Sequence, residues 1–496
     1  MNVRTPSIRG FSFVRLWGNR ALASVGLPDV GSAVGRPSEL QALTEPARRT
    51  ARAHGVIAML LVATAIMLGG GGSPDPLPEI AVQLAGLAAL AAWALVSARP
   101  TPDAPARAWL LGALLVVLPL LQLIPLPPAI WHDLPGREVE RAALALVEAE
   151  GEWRPWSVDP ARTLASLLAL TTPVILLLMV SSLGQPGRAM VIAMIAAVST
   201  FSLILGAAQL AGGAGGSLRF YVSEASYLAG FQANRNSTAD VLLIGMIGGV
   251  SAGREWVRRR KADLPRPFVL LSAGVFVAVM TVGVVLTTSR AGIILLPVAW
   301  LAIAFILRPW LALNRGSLKW ALPGIAAAVA GAGALAAWSG TVRRVAARFR
   351  FEGEFRPELW RDALFAAKQF LPIGSGTGTF VPVFIASERL EVVDPSIPNR
   401  AHNEVLEILV ESGVPGMVVA GAIALLLVRA AIAGLRHPAQ GSEAQTYFAV
   451  GALVVIAIHS QVDYPLRSMS LACIAAAAAG LLISRDGALN RDKSDS

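Results

Sequence analysis

Cysteine is almost missing from this chain: Cys473 is the only one among 496 residues. A single thiol cannot build an intramolecular disulfide framework, and it removes Cys-based metal centres from consideration. Charge is sparse as well. Asp, Glu, Lys and Arg make up 15% of the chain, against about a quarter in soluble domains. No cleavable leader is legible either, because residues 1–53 are rich in Arg, Gly, Ser and Pro and lack an apolar core of the required length. The chain shows no internal repeat, no low-complexity tract beyond Ala- and Gly-rich helices, and no stretch that reads as a soluble catalytic domain.

What takes their place is hydrophobicity. Apolar residues form 55% of the chain, mean hydropathy is +0.60, and apolar runs of about 18 or more residues recur from residue 55 onward. The pattern predicts an all-α, polytopic integral membrane protein of about 12 spans. Their centres fall near Leu61, Ala89, Val116, Pro173, Ala196, Ile244, Val275, Val298, Ala327, Val419, Val454 and Ala476. On this reading residues 1–53 are a disordered basic cytoplasmic extension and 54–339 carry spans one to nine. Residues 340–403 form a large periplasmic loop, 404–486 hold a periplasmic amphipathic helix with spans ten to twelve, and 487–496 are a cytoplasmic tail.

A net charge of +10 would suit a nucleic-acid partner if the basic residues were gathered in one domain. They lie between spans instead. Arg48, Arg49 and Arg52, then Arg99 and Arg107, Arg188, the run Arg254 to Lys261, Arg308, Arg315 and Lys319, and Arg429 and Arg436 all fall on one side. The positive-inside rule puts that side and both termini in the cytoplasm, with the charge against anionic headgroups. No nucleic-acid partner is expected. The remaining polar constellations share the outer face: Arg219–Asp240, Ser289–Arg290, the loop Gly340–Asn403 and His459–Arg467. Chemistry gathered at one face argues against a transporter or flippase, whose site should lie near the midplane between repeats.

The densest constellation is Ala401–Met417, AHNEVLEILVESGVPGM. Glu404, Glu407 and Glu411 share one helical face by their three- and four-residue spacing, while His402 falls with Leu406 and Leu409 on the other side of the first turn. Charge this close to a bilayer is costly, so the segment reads as a polar surface helix feeding the next span. Arg290, in LTTSRAGIILL, can either snorkel to headgroups or grip phosphate oxygens bidentately. In AGFQANRNSTAD the residues Asn236 and Ser237 are helix-capping material, which leaves Arg235 unexplained. Asp159, before Pro160, caps the helix that follows.

Other signals are weaker. Gly374, Gly376 and Gly378 lack the strand and the Lys-Ser/Thr of a nucleotide loop. The run Arg343, Arg344, Arg348 and Arg350 reads as headgroup contact. Glu352 and Glu354 could hold a divalent cation, but they alternate with Arg350 and Arg356 and read as a solvated ion-pair strip. His459 and Asp463 stand i,i+4 and could pair, or ligate zinc, though no third ligand is near.

The order His402, Asn403, Leu406, Glu407, Glu411, Gly413 resembles the signature of the O-antigen ligase and Wzy polymerase superfamily, membrane glycosyltransferases that take glycans off a polyprenyl-diphosphate lipid. The Ser-Arg-Ala turn at Arg290 resembles a second landmark of that family. Gly230, Phe231, Asn234 and Asn236 resemble a third. Many family members carry an arginine just before that glycine. Tyr227 stands near that position here, which leaves Arg235 or Arg219 to supply the charge. Trp360, Pro372, Gly374, Gly376 and Phe380 resemble the family's outer loop, where they would shape an acceptor groove or simply pack.

The resemblance, which covers roughly Trp153 to Leu482, implies a C-type glycosyltransferase of the bacterial inner membrane with a periplasmic site. Its donor would be an undecaprenyl-diphosphate-linked glycan, and its acceptor another glycan chain or lipid A–core. Arg290, with Arg235 or Arg219, would bind the diphosphate, and His402 would deprotonate or orient the acceptor hydroxyl. Glu407 would orient His402 or the acceptor. Asn234, Asn236, Asn403, Glu411 and Trp360 would complete the substrate site. Transfer would invert the anomeric centre with no cofactor, and the lack of any Asp-x-Asp points to metal independence. Polymerase or exopolysaccharide assembly is the favoured role, ligation to lipid A–core or protein the alternative, and other polysaccharide-assembly proteins are possible partners.

Overall fold

The computed structural model describes residues 45–71, 77–97, 101–212, 218–221, 227–261, 263–311, 356–389, 391, 398–437 and 442–484. Apolar stretches become helices throughout. These are α1 (Glu45–Leu68), α2 (Leu77–Ser97), α3 (Ala106–Gln122), the short α4 (Pro128–Trp131) and α5 (Glu138–Ala145), α6 (Pro160–Ala169), α7 (Thr171–Ser182) and α8 (Gln185–Ala211). There follow α9 (Arg235–Arg260), α10 (Arg266–Leu286), α11 (Arg290–Leu307), α12 (Arg356–Phe370), α13 (Phe380–Ser387), α14 (Glu404–Arg436), α15 (Glu443–His459), a 3-10 turn at Pro465–Arg467, and α16 (Met469–Leu482). From Arg49 onward the described residues form one compact unit.

Among the described residues, seven helical stretches are long and apolar enough to cross a membrane: α1, α2, α6 with α7, α8, α10, α11 and α14. Helices α3, α15 and α16 are apolar but shorter. The expected span centres fall inside helices in every case except Ala327, which lies outside the described residues. Large side chains such as Leu84, Leu95, Leu271 and Val418 point outward, as hydrocarbon rather than water on the flanks requires. Helix α9 is the hub. Every residue from Ser237 to Gly248 is buried, and the helix packs against α8, α10, α11 and α15.

Several boundaries differ from the sequence expectation. Helix α1 begins at Glu45, ahead of the expected boundary at residue 54. The all-α reading meets one exception among the described residues, a two-stranded antiparallel ladder in which Pro125 pairs with Pro155 and Leu126 with Arg154. The segment 340–403, expected as a loop, carries α12 and α13.

The polar surface helix and the tenth span are one helix, α14, broken at Gly413 (φ 53°, ψ −146°). A Cβ on Gly413 would stand 2.2 Å from the Pro372 carbonyl oxygen, and one on Gly374 (φ 83°) 2.5 Å from the Ser412 nitrogen. Glycine at both places lets the 372–378 turn press against the break. Ser375 and Gly376 donate backbone N–H groups to the carbonyls of Val410 and Glu411, and Val414 donates to Pro372. The Gly-rich turn thus packs against the break rather than cradling a ligand.

Helix direction alternates, so polar termini collect at two ends. One end joins Arg188 to Ser484, Arg254 to Glu443 and Arg258 to Gln185. The other holds the starts of α9, α11, α14 and α16 with the ends of α3 and α15, and it is there that His402, Asp463, Arg467 and the three glutamates of α14 converge.

Candidate functional site

His402 stands one residue before the cap of α14. Asn403 is the N-cap: its Oδ1 accepts from the Leu406 N–H at 3.0 Å, and its Nδ2 donates to the Gln461 carbonyl at 3.0 Å. The helix therefore starts later than a wheel drawn through His402 assumes. His402 itself adopts a left-handed backbone, φ 49°, unusual for a residue with a Cβ and held only where surroundings impose it. Trp360 helps impose it by donating Nε1–H to the carbonyl of Ala401 at 3.0 Å.

The reversal aims the ring at the turn after α15. His402 Nδ1 lies 3.0 Å from Asp463 Oδ1, and its ring meets that of Tyr464 edge-on at 4.9 Å. Asp463 is buried at 3% exposure. Its other oxygen, Oδ2, accepts from Asn236 Nδ2 at 2.5 Å and lies 3.8 Å from His459 Nε2. Burial opposes the charge on Asp463, but the His402 hydrogen bond and charge, the charge of His459 and the Asn236 bond hold its carboxyl below the usual aspartate range. A carboxylate facing Nδ1 fixes the N–H there and leaves the basic lone pair on Nε2. Burial pushes the Tyr464 phenol up, so it stays a neutral hydroxyl, accepting from Asn234 Nδ2 at 3.4 Å.

Two helix starts complete this cluster. Asn234, not Asn236 or Ser237, caps α9, accepting from the Asn236 N–H at 2.8 Å. Asn236 is thereby released to face the site, where its Oδ1 accepts from Ser289 Oγ at 2.7 Å. Ser289 caps α11 through the Gly292 N–H. Arg235 and Arg290 are the chain neighbours of these two residues. Both are half-buried, and the Arg235 guanidinium lies over the Tyr227 ring at 5.0 Å. Two helix N-termini, each opening on an arginine, make a ready anion environment.

A second cluster lies alongside, and it absorbs the three glutamates. Glu404, Glu407 and Glu411 do share one face, and all three are buried. Arg467 Nη2 donates to Glu411 Oε2 at 2.9 Å and its Nε lies 3.5 Å from Glu407 Oε1. Arg400 reaches the same Glu407 oxygen at 3.0 Å, and the Ala401 N–H donates to Oε2 at 3.1 Å. Glu404 accepts from the Leu466 N–H at 2.6 Å, and Glu411 from the Phe380 N–H at 3.3 Å. Burial opposes the charge on Arg467, but Glu411, Glu407 and Glu404 hold its guanidinium above the ordinary arginine value. Glu407 thus holds Arg400 and the backbone of Ala401, the two residues just before His402.

The structure thus gathers His402, Asn403, Glu407, Glu411, Trp360, Asn234, Asn236, Arg235 and Arg290 at one end. Arg219 donates to the Gln209 carbonyl at 3.5 Å and lines a small cleft with Gly230 and Gln232. Arg400, Arg467 and Asp240 escaped sequence reasoning as site residues. Asp240 carried a signal, an acid directly before the apolar run Val241–Val250 of its helix. Glu352 and Glu354 lie outside the described residues, and among the described residues no group of three His, Cys, Asp or Glu side chains is set to hold a metal ion.

Residues 275–421 match the family model described as O-antigen ligase. The match supports the O-antigen ligase and Wzy polymerase superfamily. It covers Arg290, Trp360, His402, Glu407 and Glu411, while Asn236 and Asp463 lie outside it. No curated protein matches the chain.

Proposed function

We propose that this multi-pass membrane protein, which carries the O-antigen ligase domain over residues 275–421, transfers a glycan from an undecaprenyl-diphosphate carrier to a sugar hydroxyl on the periplasmic side of the bacterial inner membrane. The observation that carries the reading is the His402–Asp463 pair, 3.0 Å apart, set beside two helix starts that bear Arg235 and Arg290. A base and an anion site at one place are what displacement of a diphosphate requires.

In this reaction the acceptor hydroxyl gives its proton to His402 Nε2 while its oxygen attacks the anomeric carbon. The bond from that carbon to the carrier's phosphate oxygen breaks, and the diphosphate leaves with the electron pair. Asp463 stabilises the imidazolium that forms. Arg290 and Arg235 offset the charge growing on the diphosphate, a contribution of roughly 3 kcal/mol per preorganised donor. A single displacement inverts the anomeric centre. Guanidinium groups fill the role a divalent cation would otherwise take, so the reaction is read as metal-independent.

The acceptor is read as a second lipid-linked chain, which makes the protein a polymerase of O-antigen or exopolysaccharide. The description of the matched family model favours a second reading, ligation to lipid A–core. Purified protein incubated with lipid-linked glycan in excess EDTA tests both. Free carrier diphosphate with a ladder of longer lipid-linked chains is the expected outcome, and product formed only when lipid A–core is supplied selects the ligase. Activity lost in EDTA and restored by magnesium or manganese overturns metal independence, and no transfer under any condition overturns the function.

A further inference from the structure

Behind Asp463 lies a second histidine–aspartate pair that the reaction above leaves unused. Asp240 and His459 are 0% and 1% exposed. His459 Nδ1 lies 2.7 Å from both Asp240 oxygens, which requires a proton on that nitrogen. The opposite nitrogen, Nε2, is buried without a hydrogen-bond partner and lies 3.8 Å from Asp463 Oδ2. A bare lone pair there would face an anionic oxygen, whereas a proton there turns repulsion into attraction. Asp240, buried in the core of α9, also needs a cation, because an uncompensated buried carboxylate is strongly disfavoured.

We propose that His459 is held as an imidazolium between the carboxylates of Asp240 and Asp463, and that Asp240 and His459 are positioning residues that offset the negative charge Asp463 presents to His402. The proposal rests on the reading of His402 as the base. Three charges stand in a row, Asp240 negative, His459 positive and Asp463 negative, with His402 at the end. The charge of Arg356, at the start of α12, also reaches the His459 ring. Asp463 presents its negative charge to His402, and the cation behind it offsets part of that charge. Meanwhile Asn236 and His402 each hold one Asp463 oxygen, so the carboxylate cannot turn to satisfy His459 instead.

Ring-nitrogen NMR of the full-length protein labelled with 15N-histidine tests the charge without any variant. At pH 8, where an ordinary histidine is neutral, one of the five histidines should show both ring nitrogens protonated. That signal should persist in His402→Gln and vanish in Asp240→Asn. Five neutral rings, or a signal lost with His402→Gln, overturns the proposal. The pH profile of glycan transfer gives the second readout. In His459→Gln the field of Asp463 is no longer offset, so the acid limb should move up by about one pH unit, while Asp463→Asn should move it down. A lower rate with an unmoved limb would reduce His459 to packing and overturn the positioning role. A wild-type protein without any transfer removes the functional reading alone, because the spectra still report the ring.

Discussion

Asn236 ties the two arginine-bearing helix starts to the turn that holds Asp463. Its amide donates to Asp463 Oδ2 at 2.5 Å, and its carbonyl accepts from Ser289 Oγ at 2.7 Å. The starts of α9 and α11 are thus fixed against the turn that faces His402. An anion gripped by Arg235 or Arg290 would be delivered to the histidine by the same small network. Reaction geometry of this kind tolerates little slack.

The carboxylate cluster makes a prediction about stability. Arg467 is the cation shared by Glu407 and Glu411, and both acids are buried. Arg467→Met strands Glu411 and leaves Glu407 to Arg400 alone, which costs about 3–5 kcal/mol and should lower the unfolding midpoint of the purified protein markedly. Arg467→Lys keeps the charge without the fork and should fall between. A midpoint unchanged in Arg467→Met would mean that the glutamates are compensated elsewhere.

Much of this organisation was legible in the sequence. Hydrophobic runs place helices because a bilayer enforces them, so the centres from Leu61 to Ala476 fall within helices wherever the structure describes them. The common face of Glu404, Glu407 and Glu411 followed from helical spacing alone. Their partners did not. Arg467 and Asp463 lie far along the chain, and no local pattern says which carboxylate meets which cation. Nor could a wheel foresee that His402 sits outside the helix with a left-handed backbone, which is what turns it toward Asp463. The α9 cap shows the same limit: Asn234 and Asn236 are equally good capping residues, and tertiary contact with Ser289 and Asp463 decides between them.

Arg290 is expected to act through its fork. Arg290→Lys keeps a positive charge but loses bidentate contact with phosphate oxygens, so transfer should drop about tenfold or more while protein abundance stays near wild type. Arg219→Lys should leave the rate close to wild type, because Arg219 donates to a backbone carbonyl, that of Gln209, which an ammonium serves as well. Full turnover in Arg290→Lys would make Arg290 a headgroup anchor and remove it from the reaction.

Topology makes a separate prediction. The Arg254–Lys261 run lies at the end of α9 remote from His402, and five basic residues there should hold that end in the cytoplasm. In a Cys473→Ser background, a cysteine at Glu388 should react with an impermeant maleimide in intact cells, and one at Lys261 should react only after permeabilisation. The reverse pattern would put His402 and its arginines on the cytoplasmic side, where a flipped lipid-linked glycan is out of reach.

The claim that His402 is the base is tested most directly by the rate of carrier-diphosphate release from purified protein supplied with lipid-linked glycan and acceptor. His402→Ala should reduce that rate by at least about a hundredfold, the usual contribution of a positioned base, with folding and expression near wild type and donor binding retained through Arg290. Release by His402→Ala at the wild-type rate would contradict the account and leave the His402–Asp463 pair as a purely structural contact.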